Sequence, residues 1–400
     1  AAIESIVCNA YRSFRNDHRC AACNKAPQEQ QDAHVNIDAY TVSYTEYPLF
    51  ANGTSKYRIL LPAQPSAAEQ YAAEELSSIF EESTGKPLPI ENEGGQAASS
   101  YISIGDTKAA EKAGIAVSER EMGNGGFVIR TEGENCFINA NTEAGKIYGA
   151  LFFAEKNLGY MYYSEDEIRY TRYEDVMLGD FDLVYKPSFD GRNVYSYDTL
   201  YNSENAVHLR VNGVVSSWDE KFGEASMWSS LHDMSNVFQL LYVKDYYNDH
   251  NGWFYLSPQY RDTDFSQMTD NECYTIVQKH SQLCYTEGYY EDDEGGMFDT
   301  FVQNLIGYIQ REPDAKLFML GMGDNEYFCD CDRCREDVEK YKESGVMIRF
   351  VNKVAKEIKR WLKEESGTPD REIYLVAFAY LTVMEPPVKY ENRQPIPIDE

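Results

Sequence analysis

The chain has 400 residues, 43% of them hydrophobic, enough apolar surface for ordinary cores in two or three domains. Its 37 Lys and Arg against 66 Asp and Glu leave a formal charge of -29, which excludes nucleic acid and anionic membrane surfaces as partners, because polyanions are bound through a basic footprint. No run of the sequence is long and apolar enough to span a bilayer, so membrane insertion is not expected.

Residues 1–39 read as a disordered leader. Tyr11–Arg19 is polar and charged, so no signal-peptide core is visible. From Thr41 the pattern is regular. Tyr57–Leu61 predicts a strand, and Ser66 followed by Glu69 is a capping box that opens a helix with Ala72, Leu76, Ile79 and Phe80 on one face, closed by Gly85. Tyr101–Ile104 predicts the next strand, and Gly126–Thr131 with Asn135–Asn139 predicts a hairpin about Glu132-Gly133-Glu134. A helix over residues 142–157 puts Ile147, Tyr148, Leu151 and Phe152 on one face and ends at Gly159. The expected product is a small β-α-β-β-α domain over residues 40–165, and nothing in it looks catalytic.

Several short motifs in this half occur together: Ala72-Ala73-Glu74-Glu75-Leu76, Ile102-Ser103-Ile104-Gly105, Gly126-Phe127-Val128-Ile129 and Ala144-Gly145-Lys146-Ile147-Tyr148-Gly149-Ala150. In that order they resemble the non-catalytic N-terminal domain of bacterial α-glucuronidases and β-hexosaminidases, which packs beside a TIM barrel in those enzymes.

Residues 166–187 read as an acidic linker ending at Pro187, and residues 188–400 as the second domain. Phe189–Tyr195, Val237–Val243, Gln282–Thr286, Leu317–Leu320 and Glu372–Tyr380 are its five expected strands. Helices are expected over residues 297–310 and 333–363. Strand followed by helix, repeated, calls for a parallel sheet, so the fold class is α/β with an incomplete (β/α) TIM-barrel-like domain; too few units are present to close a barrel, which predicts a truncated gene product, or closure by a partner or an atypical sheet. An open doubly wound sheet is the alternative. His250 with Trp253-Phe254, then Gln282-Leu283-Cys284, then Asp324 ahead of Cys329-x-Cys331-x-x-Cys334, resembles the bacterial glycoside-hydrolase-like family called domain of unknown function 4838. That resemblance implies a glycosidase-type barrel and carbohydrate metabolism, and an extracellular or periplasmic location is expected.

Chemistry in a parallel α/β architecture sits past the carboxyl ends of strands. Asp324 and Glu326 follow the fourth expected strand, where β-hexosaminidase-like enzymes carry an adjacent Asp-Glu pair, the Asp orienting substrate and the Glu protonating the leaving oxygen. If the backbone stays extended, residues two apart point the same way and both carboxylates face one site. They are the expected catalytic pair, with Arg192, Tyr195, Asp198, His250, Trp253 and Tyr380 lining a sugar pocket. The 32 Tyr, 19 Phe and 4 Trp suit an oligosaccharide or polysaccharide partner, because an aromatic face covers the C–H face of a pyranose. The competing reading is a carbohydrate-binding protein that keeps the scaffold without the chemistry. His208 and His280 read as surface or satisfied core histidines.

Cys329, Cys331 and Cys334 sit within a metal-turn spacing, and Cys284, ending the third expected strand, is the fourth ligand if the fold brings it near. A structural zinc, a disulfide pair and inert thiols all remain open, and no cofactor for catalysis is expected.

Overall fold

The computed structural model describes residues 37–94, 100–115, 117, 122–194, 196–212, 218–223, 228–231, 234–290, 294–391 and 394–397. It divides into two compact units that part between Ser226 and Met227. The first runs β1 (Ser43–Phe50), β2 (Arg58–Leu61), α1 (Ala67–Thr84), β3 (Ile90–Asn92), β4 (Tyr101–Ile104), α2 (Lys108–Lys112), β5 (Phe127–Glu132), β6 (Asn135–Asn139), α3 (Glu143–Leu158), β7 (Met161–Ser164), β8 (Glu167–Arg169), β9 (Val176–Asp180), β10 (Asp182–Tyr185), α4 (Tyr197–Leu200) and α5 (Ser203–His208).

Six of these strands form one mixed sheet in the order β10-β5-β6-β4-β2-β3. β3, β2, β4 and β6 run parallel, while β5 and β10 are antiparallel to their neighbours. Local chemistry accounts for the helices. Ser66 accepts from Glu69 N and Glu69 reaches back to Ser66 N, the reciprocal capping box, and Gly85 ends α1 at φ 79. In α3 two glycines permit close approach to the sheet: a methyl on Gly145 would lie 2.5 Å from the Gly126 carbonyl oxygen, and one on Gly149 would lie 2.6 Å from Ile138. The buried faces of α1 and α3 share the core with Ile59, Ile102, Ile104, Phe127 and Ile138.

Residues 166–187 are not a plain linker. They carry β8, β9 and β10, with β9 paired to β1 and β10 to β5. The first expected barrel strand is absent: residues 189–194 form no strand, and Asn212 holds them instead, its Oδ1 accepting from Arg192 N at 2.7 Å and its N donating to Arg192 O at 3.0 Å.

The second unit contains α6 (Val243–Tyr246), β11 (Phe254–Leu256), α7 (Asp270–His280), β12 (Ser281–Leu283), α8 (Tyr285–Tyr290), α9 (Met297–Arg311), β13 (Leu317–Met319), α10 (Asp332–Glu364), β14 (Tyr374–Val376), β15 (Val388–Glu391) and β16 (Gln394–Pro397). β13 and β14 pair in parallel across α10, as the pattern predicts, and Trp228 adds a parallel bridge at Leu317. β12 pairs antiparallel with β11. Val237–Val243 is not a strand but a π-helical turn over Asn236–Leu240 running into α6. A short continuous apolar run carries no period, so burial of Val237, Leu240, Leu241 and Val243 is met equally well by a helical turn. Among the described residues this unit's strands form two-stranded ladders that trace no closed barrel, and the architecture is mixed α/β.

Candidate functional site

The parallel pair β13–β14 directs both chain ends to one edge, and the segment leaving β13 is held there by buried amides. Gln282, the middle residue of β12, donates from Nε2 to Gly323 O at 2.9 Å and accepts at Oε1 from Gly323 N at 3.1 Å. A side-chain amide thus pairs with Gly323 as a strand would. Next along the chain, buried Asn325 donates to Gln278 O at 2.9 Å and Ser281 O at 3.0 Å, and its Oδ1 accepts from Gln282 Nε2 at 3.0 Å and from Tyr327 N at 3.0 Å. Every hydrogen-bonding position of this amide is used. With Asn325 turned inward, Asp324 and Glu326 on either side are exposed.

The backbone between the two carboxylates is bent and not extended, because Asn325 N turns back to Gly323 O at 2.9 Å. Asp324 and Glu326 therefore flank an anchored bend and do not share the face of a strand. Tyr380, four residues past β14, donates its hydroxyl to Asp324 Oδ1 at 3.1 Å, and that hydrogen bond, with the nearby charge, raises the phenol's pKa. Two residues 56 apart in sequence are brought together over the ends of neighbouring strands.

His250 and Trp253 come together with each other. Their rings stack at 4.1 Å and 11°, and Tyr246 packs on the indole at 5.7 Å. Trp253 is only 7% exposed and belongs to the core, which leaves it no open face for a sugar; His250 is the exposed member. Arg192 and Asp198 lie in the first unit, and Tyr195 lies outside the described residues. Arg192 spends its guanidinium on the carbonyls of Phe189 (2.8 Å), Arg210 (2.9 Å) and Asn124 (3.1 Å), which is the work of a loop clamp. Asp198 is exposed on α4, and its carbonyl accepts from Asn205.

Sequence patterning missed an aromatic group beside the bend. Tyr255 and Tyr327 lie 5.4 Å apart, Tyr327 and His280 6.2 Å, and His280 and Tyr260 4.7 Å. Arg261 sits 5.7 Å over Tyr255 and pairs with Asp330 at 3.3 Å. Adjacency of Tyr327 to the Asp-Asn-Glu run was the sole cue. His280 also contacts Ser257, and His208 is buried between Tyr160 and Tyr71, so both are the satisfied histidines expected.

Beyond the bend come Cys329, Cys331 and Cys334, and Cys284 follows β12. The structure gathers all four sulfurs within 4.8 Å of one another. Cys331 caps α10, accepting at Sγ from Cys334 N at 3.4 Å, and Thr286 Oγ1 lies 3.0 Å from Cys334 Sγ.

Residues 52–153 match the family model described as Glycosyl hydrolase family 67 N-terminus, and residues 162–399 match that described as Domain of unknown function (DUF4838). No curated protein matches the chain. Among solved structures, it is similar to the GH20 β-N-acetylhexosaminidase from Streptomyces coelicolor A3(2), at 15% identity over 44% of this chain and 32% of that one, with a TM-score of 0.29. A family GH115 4-O-methyl-α-glucuronidase with specificity for decorated arabinogalactans aligns at 13% identity over 85% of this chain and 44% of that one, TM-score 0.43. The N-acetyl-β-hexosaminidase of Streptomyces plicatus aligns at 11% identity over 80% and 62%, TM-score 0.38. The chain spans less than two thirds of the length of each of these proteins. Both resemblances read from the motifs hold, and with residues 162–399 matched, more than half its length, the chain belongs to the family described as Domain of unknown function (DUF4838).

Proposed function

We propose that this chain is a glycoside hydrolase-like protein that acts on an oligosaccharide or polysaccharide, with Glu326 as general acid and Asp324 as the carboxylate that orients the substrate. The observation that carries the reading is the Tyr380–Asp324 hydrogen bond over the ends of β13 and β14, beside a second exposed carboxyl. Glycoside cleavage uses two carboxyl groups, one of which delivers a proton to the leaving oxygen. Asp324 is held by Tyr380 and suits orientation; Glu326 on the far flank of the bend suits proton delivery. His250 and Tyr327 supply exposed rings for sugar contact, with buried Tyr255 packed behind Tyr327. The family 67 N-terminus match supports a carbohydrate substrate. The crossing of β13, α10 and β14 supports reading the second unit as part of a (β/α) barrel. An extracellular or periplasmic location belongs to the same reading, since complex carbohydrate is met there.

Exposure of both carboxylates on a bend favours one second reading, a carbohydrate-binding protein without turnover. Hydrolysis of an aryl-glycoside and polysaccharide panel tests the first. Glu326→Gln is expected to lower turnover by about 10²-fold or more, the usual contribution of a general acid, and Asp324→Asn to lower it as well. Unchanged turnover in both variants would sink the assignment. Glycan binding without any hydrolysis would favour the second reading.

A further inference from the structure

Cys284 Sγ lies 3.8 Å from both Cys331 Sγ and Cys334 Sγ, and all four sulfurs fall within 4.8 Å of one another. Four thiolates around a zinc ion at about 2.3 Å stand about 3.8 Å apart along the edges of the tetrahedron, whereas bonded sulfurs sit at about 2.05 Å. The two separations of 3.8 Å match that edge, and neither is a bonded distance. We infer that Cys284, Cys329, Cys331 and Cys334 bind one Zn2+ as a closed tetrathiolate, which clasps the bend carrying Asp324 and Glu326 to the end of β12.

Three pieces of chain supply the ligands. Cys284 follows β12, Cys329 and Cys331 belong to the segment after the bend, and Cys334 lies in the first turn of α10. Three of the four are buried, so the sulfurs meet one another more than water. A set of four thiolates is repulsive, all the more in a chain of formal charge -29, and a divalent cation relieves that repulsion. Coordination releases one proton from each thiol, giving a dianionic tetrathiolate and four protons with no change of oxidation state. The outer partners are in place: Cys334 N points at Cys331 Sγ, and the Thr286 hydroxyl reaches Cys334 Sγ, each able to donate to a metal-bound thiolate. An all-sulfur tetrahedral set selects zinc or iron among common metals, and with four protein ligands no position stays open for substrate.

The inference does not depend on any turnover. Full-length protein purified without added metal is expected to contain about one zinc per chain, and chelation to expose about four further thiols to a thiol reagent. Replacement by Co2+ is expected to give the intense visible bands of tetrahedral cobalt thiolate, a readout on the unaltered chain should a variant fail to fold. Cys329→Ser and Cys334→Ser are expected to lose the metal, and hydrogen exchange over residues 320–331 to quicken on chelation. Iron in place of zinc, a disulfide among these cysteines on peptide mapping, or Co2+ spectra lacking thiolate charge transfer would each overturn it.

Discussion

Each unit buries ionisable groups, and the two settle the cost differently. In the first, Lys146 reaches Glu143 at 2.6 Å and Glu69 at 2.8 Å, and both carboxylates sit in first turns of helices, where the backbone dipole favours an anion. Burial works against the ammonium charge, but hydrogen bonds to Glu143 and Glu69 outweigh it, so the Lys146 pKa is raised. That cluster closes on itself. In the second unit, the strongest influence on each of Cys284, Cys329, Cys331 and Cys334 is another of the four. Hydrogen bonds from Cys284 and Cys329 draw Cys334 down, while the bond to Cys284 and burial push Cys331 up. A buried set that holds its own counter-charge is a packing device; the set of like thiols holds none, which is the setting for the zinc inferred above.

The sharpest way to break this contrast is to remove the internal cation. Lys146→Met leaves Glu69 buried and unpaired, and urea unfolding is expected to show a loss of about 3–5 kcal/mol, with Glu69→Gln added in the same chain recovering part of it. No loss would mean that the cluster is not closed by charge.

Asn325→Ala asks whether the second unit's bend stands on its amide as well as on the cysteines. It strips partners from the Gln278 and Ser281 carbonyls and from Gln282, so a loss of about 1–3 kcal/mol is expected, with faster hydrogen exchange over residues 320–331. Ser66→Ala removes the cap of α1 together with the hydroxyl's hydrogen bond to Glu143, and about 1–2 kcal/mol is expected by the same unfolding measurement.

The smallest net effect concerns a third solution to burial, neutrality. Burial, then the charge of Glu204, raises Glu75 to about 7, and burial, then Arg210, lowers His208 to about 4. Native Glu75 holds a proton that the unfolded chain has released, so its contribution to stability falls as pH rises from about 4.5 to about 7. The unfolded chain protonates His208 where the native one does not, so that contribution rises with pH from about 4 to about 6.5. The opposed slopes predict a nearly flat melting temperature through the overlap. Glu75→Gln is expected to uncover the rising limb, and a flat profile in that variant would show that His208 is not held neutral.

Much of this was legible where the rule is local. The Ser66–Glu69 box, the Gly159 stop and the hairpin across β5 and β6 depend on residues within a turn or two of one another. The helix expected over residues 333–363 is present as α10 but kinks at Lys342, whose φ of 63 is not helical. The failures also have a common cause. β3 has three residues, too few for a period, and β10 reads as acidic linker until it finds the edge of β5. Val237–Val243 is apolar without alternation, so helix and strand were equally open and packing chose.

By itself the sequence determined the α/β character, the family and the residue types at the candidate site, because periodicity, caps and motif order are properties of neighbouring residues. Tertiary structure alone decided that Trp253 is core and Arg192 a clamp. It also decided that a buried Asn325 turns Asp324 and Glu326 outward, that Tyr380 meets Asp324, and that Cys284 joins three thiols from 45 or more residues away. Those outcomes are contacts between distant segments, set by which faces pack together, and no local propensity encodes them.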